Sequence, residues 1–166
     1  EYIDKSVDLG IDIIEISSIA RSIDDIEMCH LIERISSKGI RVLNEIGVAF
    51  AHSEIDDNSI FINRLINQST KYLKAGCWKI VIESEGLTEN LDKIDYRWSV
   101  IDSIISPLEL SQFIVEADDQ DILSKYIEIY GPKINMMIDH NRLLKMEAAR
   151  LGFGPSQFLW GKVVRY

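Results

Sequence analysis

Short apolar runs recur along the chain, and a helical pattern that ends in glycine precedes four of them. The glycines are Gly10, Gly39, Gly76 and Gly131, and the runs after them read IDIIEI, IRVLNEI, CWKIVIE and PKINMMI. Glycine just past a helix is favoured because it adopts a left-handed backbone without a side-chain penalty. In a fifth unit Pro107 ends the helix before LELSQFIVE. Runs that are apolar at odd and even positions are typical of strands buried on both faces.

Apolar residues at helical spacing lie between these runs. Ser22, with Asp25 three residues later, predicts the start of the first intervening helix, and Asp56 or Asp57 is the expected N-cap of the second. The expected buried positions of the two helices are Ile23, Ile26, Leu31, Ile32 and Ile35, then Ile60, Phe61, Leu65 and Tyr72. The chain therefore reads as a helical segment followed by five strand–helix units.

Alternating strands and helices predict an α/β fold with a parallel sheet. An open doubly wound sheet and part of a (β/α)8 TIM barrel both fit this order. No G-x-G-x-x-G or G-x-x-x-x-G-K-[ST] motif follows any of the runs, so the usual signature of nucleotide-binding sheets is absent. A complete barrel takes about 250 residues. The barrel interpretation therefore predicts an incomplete barrel of five βα units, with further sequence before Glu1.

An acidic residue closes each apolar run. The five are Glu15, Glu45, Glu83, Glu116 and Asp139. In a parallel barrel the C-terminal ends of the strands surround one mouth, where active sites are built, so this pattern favours the barrel. Two charges 5 Å apart repel by about 3 kcal/mol at an effective dielectric of 20, and a divalent cation such as Mg²⁺ or Mn²⁺ relieves that repulsion. Helix capping or solvation is the alternative for any single acid.

Charge and cysteine usage narrow the class of protein. With 27 acidic and 18 basic side chains the net charge is −9, which argues against a nucleic-acid partner because such binding needs clustered Lys and Arg. No apolar run reaches the ~18 residues of a membrane span, and no signal peptide opens the chain. Cys29 and Cys77 lack a paired spacing and read as reduced thiols. We therefore expect a cytoplasmic protein that acts on small molecules.

Several segments, taken in order, resemble the phosphosulfolactate synthase family. AGCWKIVIES is similar to A-G-A-W-K-V-I-I-E, and IIEISSIARSIDD to E-I-S-D-G-S-x-x-I-x. VLNEIG, FIVEA and GPKIN resemble V-L-x-E-V-G, I-F-E-A and G-x-x-V-N. The ending, IDHNRLLKMEAARLG with a later FLWGKVV, is similar to a divergent branch that includes plant heat-stress-associated relatives. A length of 166 residues fits a single domain, and the resemblance implies that residues 1–166 are the C-terminal part of a (β/α)8 barrel, from its fourth to its eighth strand.

The resemblance implies a Mg²⁺-dependent carbon–sulfur lyase that adds sulfite to phosphoenolpyruvate, giving phosphosulfolactate for coenzyme M biosynthesis. Sulfite would attack the terminal carbon, Mg²⁺ would stabilise charge on the carboxylate, and a general acid, expected to be a lysine, would protonate the central carbon. The matching segments make Glu45, Glu83 and Glu116 the implied metal ligands. Glu15 is a fourth metal candidate, and Asn135 is expected to bind substrate at the same mouth.

The loops depart from the family where anions would bind. The family's E-G-R-E-S-G is replaced by ESEGL from Glu83, and its A-P-Q-K-S by ADDQD from Ala117, so acids stand where bases are expected. Phosphoenolpyruvate and sulfite are anions that need Arg, Lys or backbone amides. Two alternatives therefore stay open. One is a non-catalytic, stress-associated relative, and the other is a metal-dependent barrel enzyme that acts on a less anionic substrate.

Predictions also follow for two polar residues after the last strand and for the C-terminal tail. His140, after the last strand, is a candidate catalytic acid or base, and Arg142 is the better placed of the nearby cations to bind an anionic substrate. Apolar side chains crowd the C-terminal tail, residues 153–166. Such a tail is expected to dock on another surface, either within the complete fold or in a homo-oligomer.

Overall fold

The structure is a computed structural model that describes residues 1–17, 23–47, 58–154 and 157–161. Five strands alternate with helices in this part of the chain. The strands are β1 (Ile13–Ile16), β2 (Arg41–Ile46), β3 (Lys79–Ile82), β4 (Phe113–Glu116) and β5 (Met136–Met137). The α-helices are α1 (Tyr2–Asp8), α2 (Asp25–Ser36), α3 (Asn58–Lys74), α4 (Trp98–Ile105), α5 (Gln120–Tyr130) and α6 (Leu143–Arg150).

All five strands pair in parallel, and they lie side by side in chain order. A doubly wound sheet would reverse its strand order at a switch point, whereas a barrel keeps the chain order. The sheet curls into a half-barrel with helices packed on its outer side. The α/β fold of incomplete TIM-barrel type, expected from the repeated units, is confirmed.

Alternate strand residues face the helices and form the core. Successive strand side chains point to opposite faces of a sheet, and one set packs with helix residues such as Ile32, Leu65 and Ile101. That outward set is Ile16, Val42, Ile46, Ile80, Ile82, Phe113 and Val115. The other set faces the inside of the half-barrel, where Leu43 and Val81 are also buried. The strand-end acids belong to this inner set, because each lies an even number of residues from an inward-facing position.

The predicted helix-ending glycines are confirmed. The φ angles of Gly10, Gly39, Gly76 and Gly131 are 71°, 80°, 99° and 86°, all in the left-handed region that favours glycine. Each of these glycines turns the chain from a helix into the segment that leads to the next strand. These four turns therefore connect helices to strands at the positions that the glycines predict.

Gly76→Ala should destabilise the fold more than Gly39→Ala. Both positions have positive φ, which costs a side chain about 1–2 kcal/mol. A Cβ at Gly76 would also lie 2.9 Å from the Ser36 Oγ atom, whereas a Cβ at Gly39 would meet nothing within 4 Å. We expect about 1 kcal/mol of extra loss in the free energy of unfolding for Gly76→Ala, measured by urea denaturation. Equal losses for the two variants would contradict this packing.

Two helical expectations are corrected. Helix α2 begins at Asp25, and its N-cap is Asp24, whose carboxylate accepts hydrogen bonds from the backbone of Ile26 and Glu27. Ile23 therefore precedes the helix. Ile26 and Ile60, expected to be buried, are 68% and 75% exposed. The expected caps Ser22, Asp56 and Asp57 lie outside the described residues.

The C-terminal tail is described only in part. Leu159 is buried, while Phe153 and Trp160 are exposed, and the Trp160 indole N–H donates to the Gly154 carbonyl. The last residues of the tail, 162–166, lie outside the described ranges. In the part of the chain that the structure describes, no helix has the length and apolarity needed to cross a membrane.

Candidate metal site

Three carboxylates meet at the C-terminal edge of the sheet. Glu45 is the residue before the end of β2, Glu83 directly follows β3, and Glu116 ends β4. One carboxylate oxygen from each lies within 4.8 Å of the others. All three side chains are half-buried. The structure thus brings together the three residues that the matching segments implied.

Strand register explains why these three side chains converge. Ile82 pairs with Val115, so Glu83 and Glu116 follow at one level on adjacent strands. Glu45 pairs with Val81, which lies two residues before Glu83 on the same face. The backbone N–H of Glu83 also donates to the Ile46 carbonyl, which extends the pairing of β2 and β3 to the site. The curl of the sheet then directs the three side chains to one point inside the half-barrel.

The three carboxyl groups share protons. Burial and the adjacent Glu83 carboxylate raise the pKa of Glu45 to about 8, and the same two causes raise the pKa of Glu116 to about 7. Burial also opposes ionisation of Glu83, but hydrogen bonds from Glu45 and Glu116 lower its pKa below the usual range. Glu83 is therefore the ionised centre of the group, whereas near pH 7 Glu45 is mostly protonated and Glu116 is about half protonated.

Ser84 holds the carboxylates in place. Its backbone N–H donates to Glu83 at 3.0 Å and to Glu116 at 3.2 Å. Its hydroxyl oxygen lies 2.9 Å from Glu89, 3.2 Å from Glu116 and 2.9 Å from Asp118. A hydroxyl donates a single hydrogen, so three ionised carboxylates cannot all be satisfied there. The sequence analysis assigned Ser84 no role; the available signal was that it follows Glu83, where the family segment E-G-R-E has its glycine.

A cavity of about 400 Å³, which we call the acidic cavity, lies beside the three carboxylates. Its lining combines one hydroxyl and four carboxyl groups with three apolar side chains: Ser84, Glu89, Glu116, Ala117, Asp118, Met137, Ile138 and Asp139. None of these eight residues is basic. Burial raises the pKa of Asp118, as expected where carboxylates crowd together.

Glu15 does not join the three carboxylates. It pairs with Leu43, which pairs in turn with Lys79, whereas Glu45 lies two residues further along β2. Glu15 therefore lies one inward-facing layer further from the mouth than Glu45 and two layers further than Glu83. Its side chain is exposed. It is not part of the cluster that the geometry defines.

The remaining candidates lie apart from the cluster. The Asn135 side chain donates to the carbonyl of Phe113, the first residue of β4, so it sits near the opposite end of that strand. His140 and Arg142 form a short 3-10 turn after β5. His140 is exposed and Arg142 is half-buried. Asp139 directly precedes this turn and lines the acidic cavity.

The donor set suits a hard divalent cation. Three carboxylates supply only oxygen ligands, which Mg²⁺ and Mn²⁺ prefer. A cation held by Glu45, Glu83 and Glu116 would also offset the repulsion that keeps two of these groups protonated. The residues present therefore fit the metal that the family resemblance implies.

Fold and site together define an α/β protein of the TIM-barrel type with acidic groups gathered at the C-terminal edge of its strands. Comparison with known families gives the specific assignment. The profile of the (2R)-phospho-3-sulfolactate synthase (ComA) family matches residues 1–154, and the chain belongs to that family. It is also similar to the protein HEAT-STRESS-ASSOCIATED 32 of Arabidopsis thaliana, with 24% identity over 167 residues. That match covers 90% of this chain and 58% of the plant protein, so the chain spans little more than half of its relative's length.

Proposed function

We propose that Glu45, Glu83 and Glu116 bind Mg²⁺, and that this site serves a phosphosulfolactate synthase-like addition of sulfite to phosphoenolpyruvate. Membership of the family supports the reaction. The observation that carries the metal assignment is the approach of three carboxylate oxygens to within 4.8 Å of one another. Bound there, Mg²⁺ would supply positive charge where the substrate carboxylate gains electrons.

The reaction balances without a redox partner. The sulfite sulfur forms a bond to the terminal carbon, the carbon–carbon π electrons move towards the carboxylate, and a proton is then delivered to the central carbon. The phosphate ester bond stays intact throughout. His140 is the candidate acid on this chain, since it follows Asp139 at the edge of the acidic cavity.

The test is consumption of phosphoenolpyruvate with and without sulfite and Mg²⁺. We expect turnover only when both are present, and Glu83→Gln should lower kcat/KM by about a hundredfold or more, because the ionised ligand is lost. Glu15→Gln, which removes an acid of the adjacent layer, is the matched control and should retain turnover. Turnover that is independent of Mg²⁺ would contradict the proposal.

A second candidate function is favoured by the acidic cavity. Four carboxyl groups around a volume of about 400 Å³ repel a phosphate or sulfite. They suit a neutral polyol or an amine instead, which would make the chain a metal-dependent enzyme with a less anionic substrate. Mn²⁺ binding without sulfite-dependent turnover would favour this function. Neither binding nor turnover would favour a non-catalytic role such as stress protection.

A further inference from the structure

Ser84 links the three carboxylates to the turn that follows β3. It is only 2% exposed. Its backbone N–H and its hydroxyl both contact Glu116 Oε2, each at 3.2 Å, and the N–H also donates to Glu83. The hydroxyl oxygen lies 2.9 Å from Glu89 and 2.9 Å from Asp118. One residue therefore contacts two of the proposed metal ligands and two acids that line the acidic cavity without belonging to the cluster.

The Ser84 carbonyl closes the same turn, residues 84–89, which we call the Ser84 turn. This oxygen accepts hydrogen bonds from three backbone N–H groups, at distances between 2.9 and 3.0 Å: Leu87, Thr88 and Glu89. Gly86, with a φ of 73°, provides the left-handed residue inside the turn. Since Glu89 contacts Ser84 through its backbone and through its side chain, a displacement of Ser84 disturbs the whole turn.

The contacts with Glu116 fix the direction of its carboxylate. Both donors of Ser84 meet the same oxygen, Oε2, which leaves Oε1 without a contact to Ser84. A carboxylate that binds a metal through one oxygen is commonly held by a hydrogen bond, and the loss of that bond weakens metal binding. The cation needs Glu116 in place, and Glu116 is held in place by a residue of the Ser84 turn. A cation at the three carboxylates should therefore favour the ordered form of this turn.

We propose that Ser84 is a positioning residue that orients Glu116 for the cation and couples cation binding to the order of the Ser84 turn. The inference rests on the metal site proposed above, but it does not depend on the sulfite reaction. Coupling of this kind is reciprocal, so a more ordered turn also binds the cation more tightly. Since the family segment E-G-R-E has glycine after its first acid, the hydroxyl contacts are a property of this chain.

Hydrogen exchange of backbone amides, followed by NMR with and without Mg²⁺, tests the coupling on the wild-type protein. We expect Mg²⁺ to slow exchange about tenfold at the three amides that donate to the Ser84 carbonyl, because local opening of the turn would cost cation binding. The amide of Gly39 is the internal control. It donates to the Ser36 carbonyl in a turn at the opposite end of the sheet, and its exchange should change by less than about twofold.

Ser84→Ala keeps the backbone N–H and carbonyl but removes the hydroxyl. Its affinity for Mn²⁺, measured by electron paramagnetic resonance, should fall about tenfold, and Mg²⁺ should lose most of its effect on exchange in the turn. A purely structural role for Ser84 would instead speed exchange equally with and without Mg²⁺. Thr88→Val is the matched control. It removes another buried hydroxyl of the same turn, one with no hydrogen-bond partner among the described residues, and it should keep both properties.

The outcomes separate this coupling from the metal site itself. Unchanged Mn²⁺ affinity in Ser84→Ala, or a full Mg²⁺ effect on its turn, would overturn the coupling and leave the metal site intact. Mn²⁺ binding to the wild-type protein without slower exchange at the three amides would do the same. That result needs no variant, so it stands even if Ser84→Ala does not fold. If the wild-type protein bound no Mn²⁺, the metal site would be wrong and the coupling with it.

Discussion

Glu83→Gln should weaken Mn²⁺ binding by about a hundredfold or more. Glu83 is the carboxylate that hydrogen bonds from Glu45 and Glu116 keep ionised, so it is the group already charged when the cation arrives. A glutamine at this position keeps the size of the side chain but removes the charge. It also leaves the two neighbours with no anion between them. Electron paramagnetic resonance of Mn²⁺, with Mg²⁺ as the competitor, measures the affinity directly.

Glu15→Gln is the matched control for this measurement. Glu15 also closes an apolar run in the sequence, but it pairs with Leu43 and lies one layer below Glu45. Its removal should change the Mn²⁺ affinity by less than about threefold, the effect of a distant exposed charge. If the two variants lost affinity equally, the cation would be attracted by the general negative charge of the chain and not held by the three carboxylates.

The repeated unit of the fold was predictable because its signals are local. A glycine in the left-handed region ends each of four helices, and an Ile- and Val-rich run follows. The helix faces were less predictable. Ile26 and Ile60 fit the apolar spacing but are exposed, because only one side of α2 and α3 contacts the sheet. Asp24, not Ser22, caps α2, and the two residues are too close in sequence for spacing alone to separate them.

The site was predictable only in part, because its geometry depends on register. Sequence places an acid at each strand end, but it does not give the level of that residue relative to the neighbouring strand. A shift of two residues moves a side chain by one layer while it still faces inward. Glu45 lies one layer below Glu83 and reaches the cluster, whereas Glu15 lies two layers below Glu83 and does not. Ser84 was missed for a related reason: its contacts with Glu116 and Asp118 join residues that lie 32 and 34 positions apart in sequence.

In the absence of a metal, the protein should lose stability as the pH rises from about 5 to about 8. Folding raises the pKa of Glu45 from 4.5 to about 8 and that of Glu116 from 4.5 to about 7. In this window the folded state holds protons that the unfolded state has released, so the free energy of unfolding falls with pH. The lowered pKa of Glu83 acts in the opposite sense, but only below its ordinary value of 4.5. We expect a loss of about 2 kcal/mol, which allows for solvent screening of half-exposed groups.

Urea denaturation at intervals between pH 5 and pH 8.5 measures this loss, and Glu45→Gln identifies its source. The glutamine stays neutral at every pH, so the variant should match the wild-type protein near pH 5, where Glu45 is protonated, and exceed its stability near pH 8. Saturating Mg²⁺ should stabilise the wild-type protein most at high pH, because the cation replaces the protons that the carboxylates lose. A wild-type stability that stays constant or rises across this range would show that the pKa values of the three carboxyl groups are not raised by one another. They would then not form the closely spaced ligand set that a single cation requires.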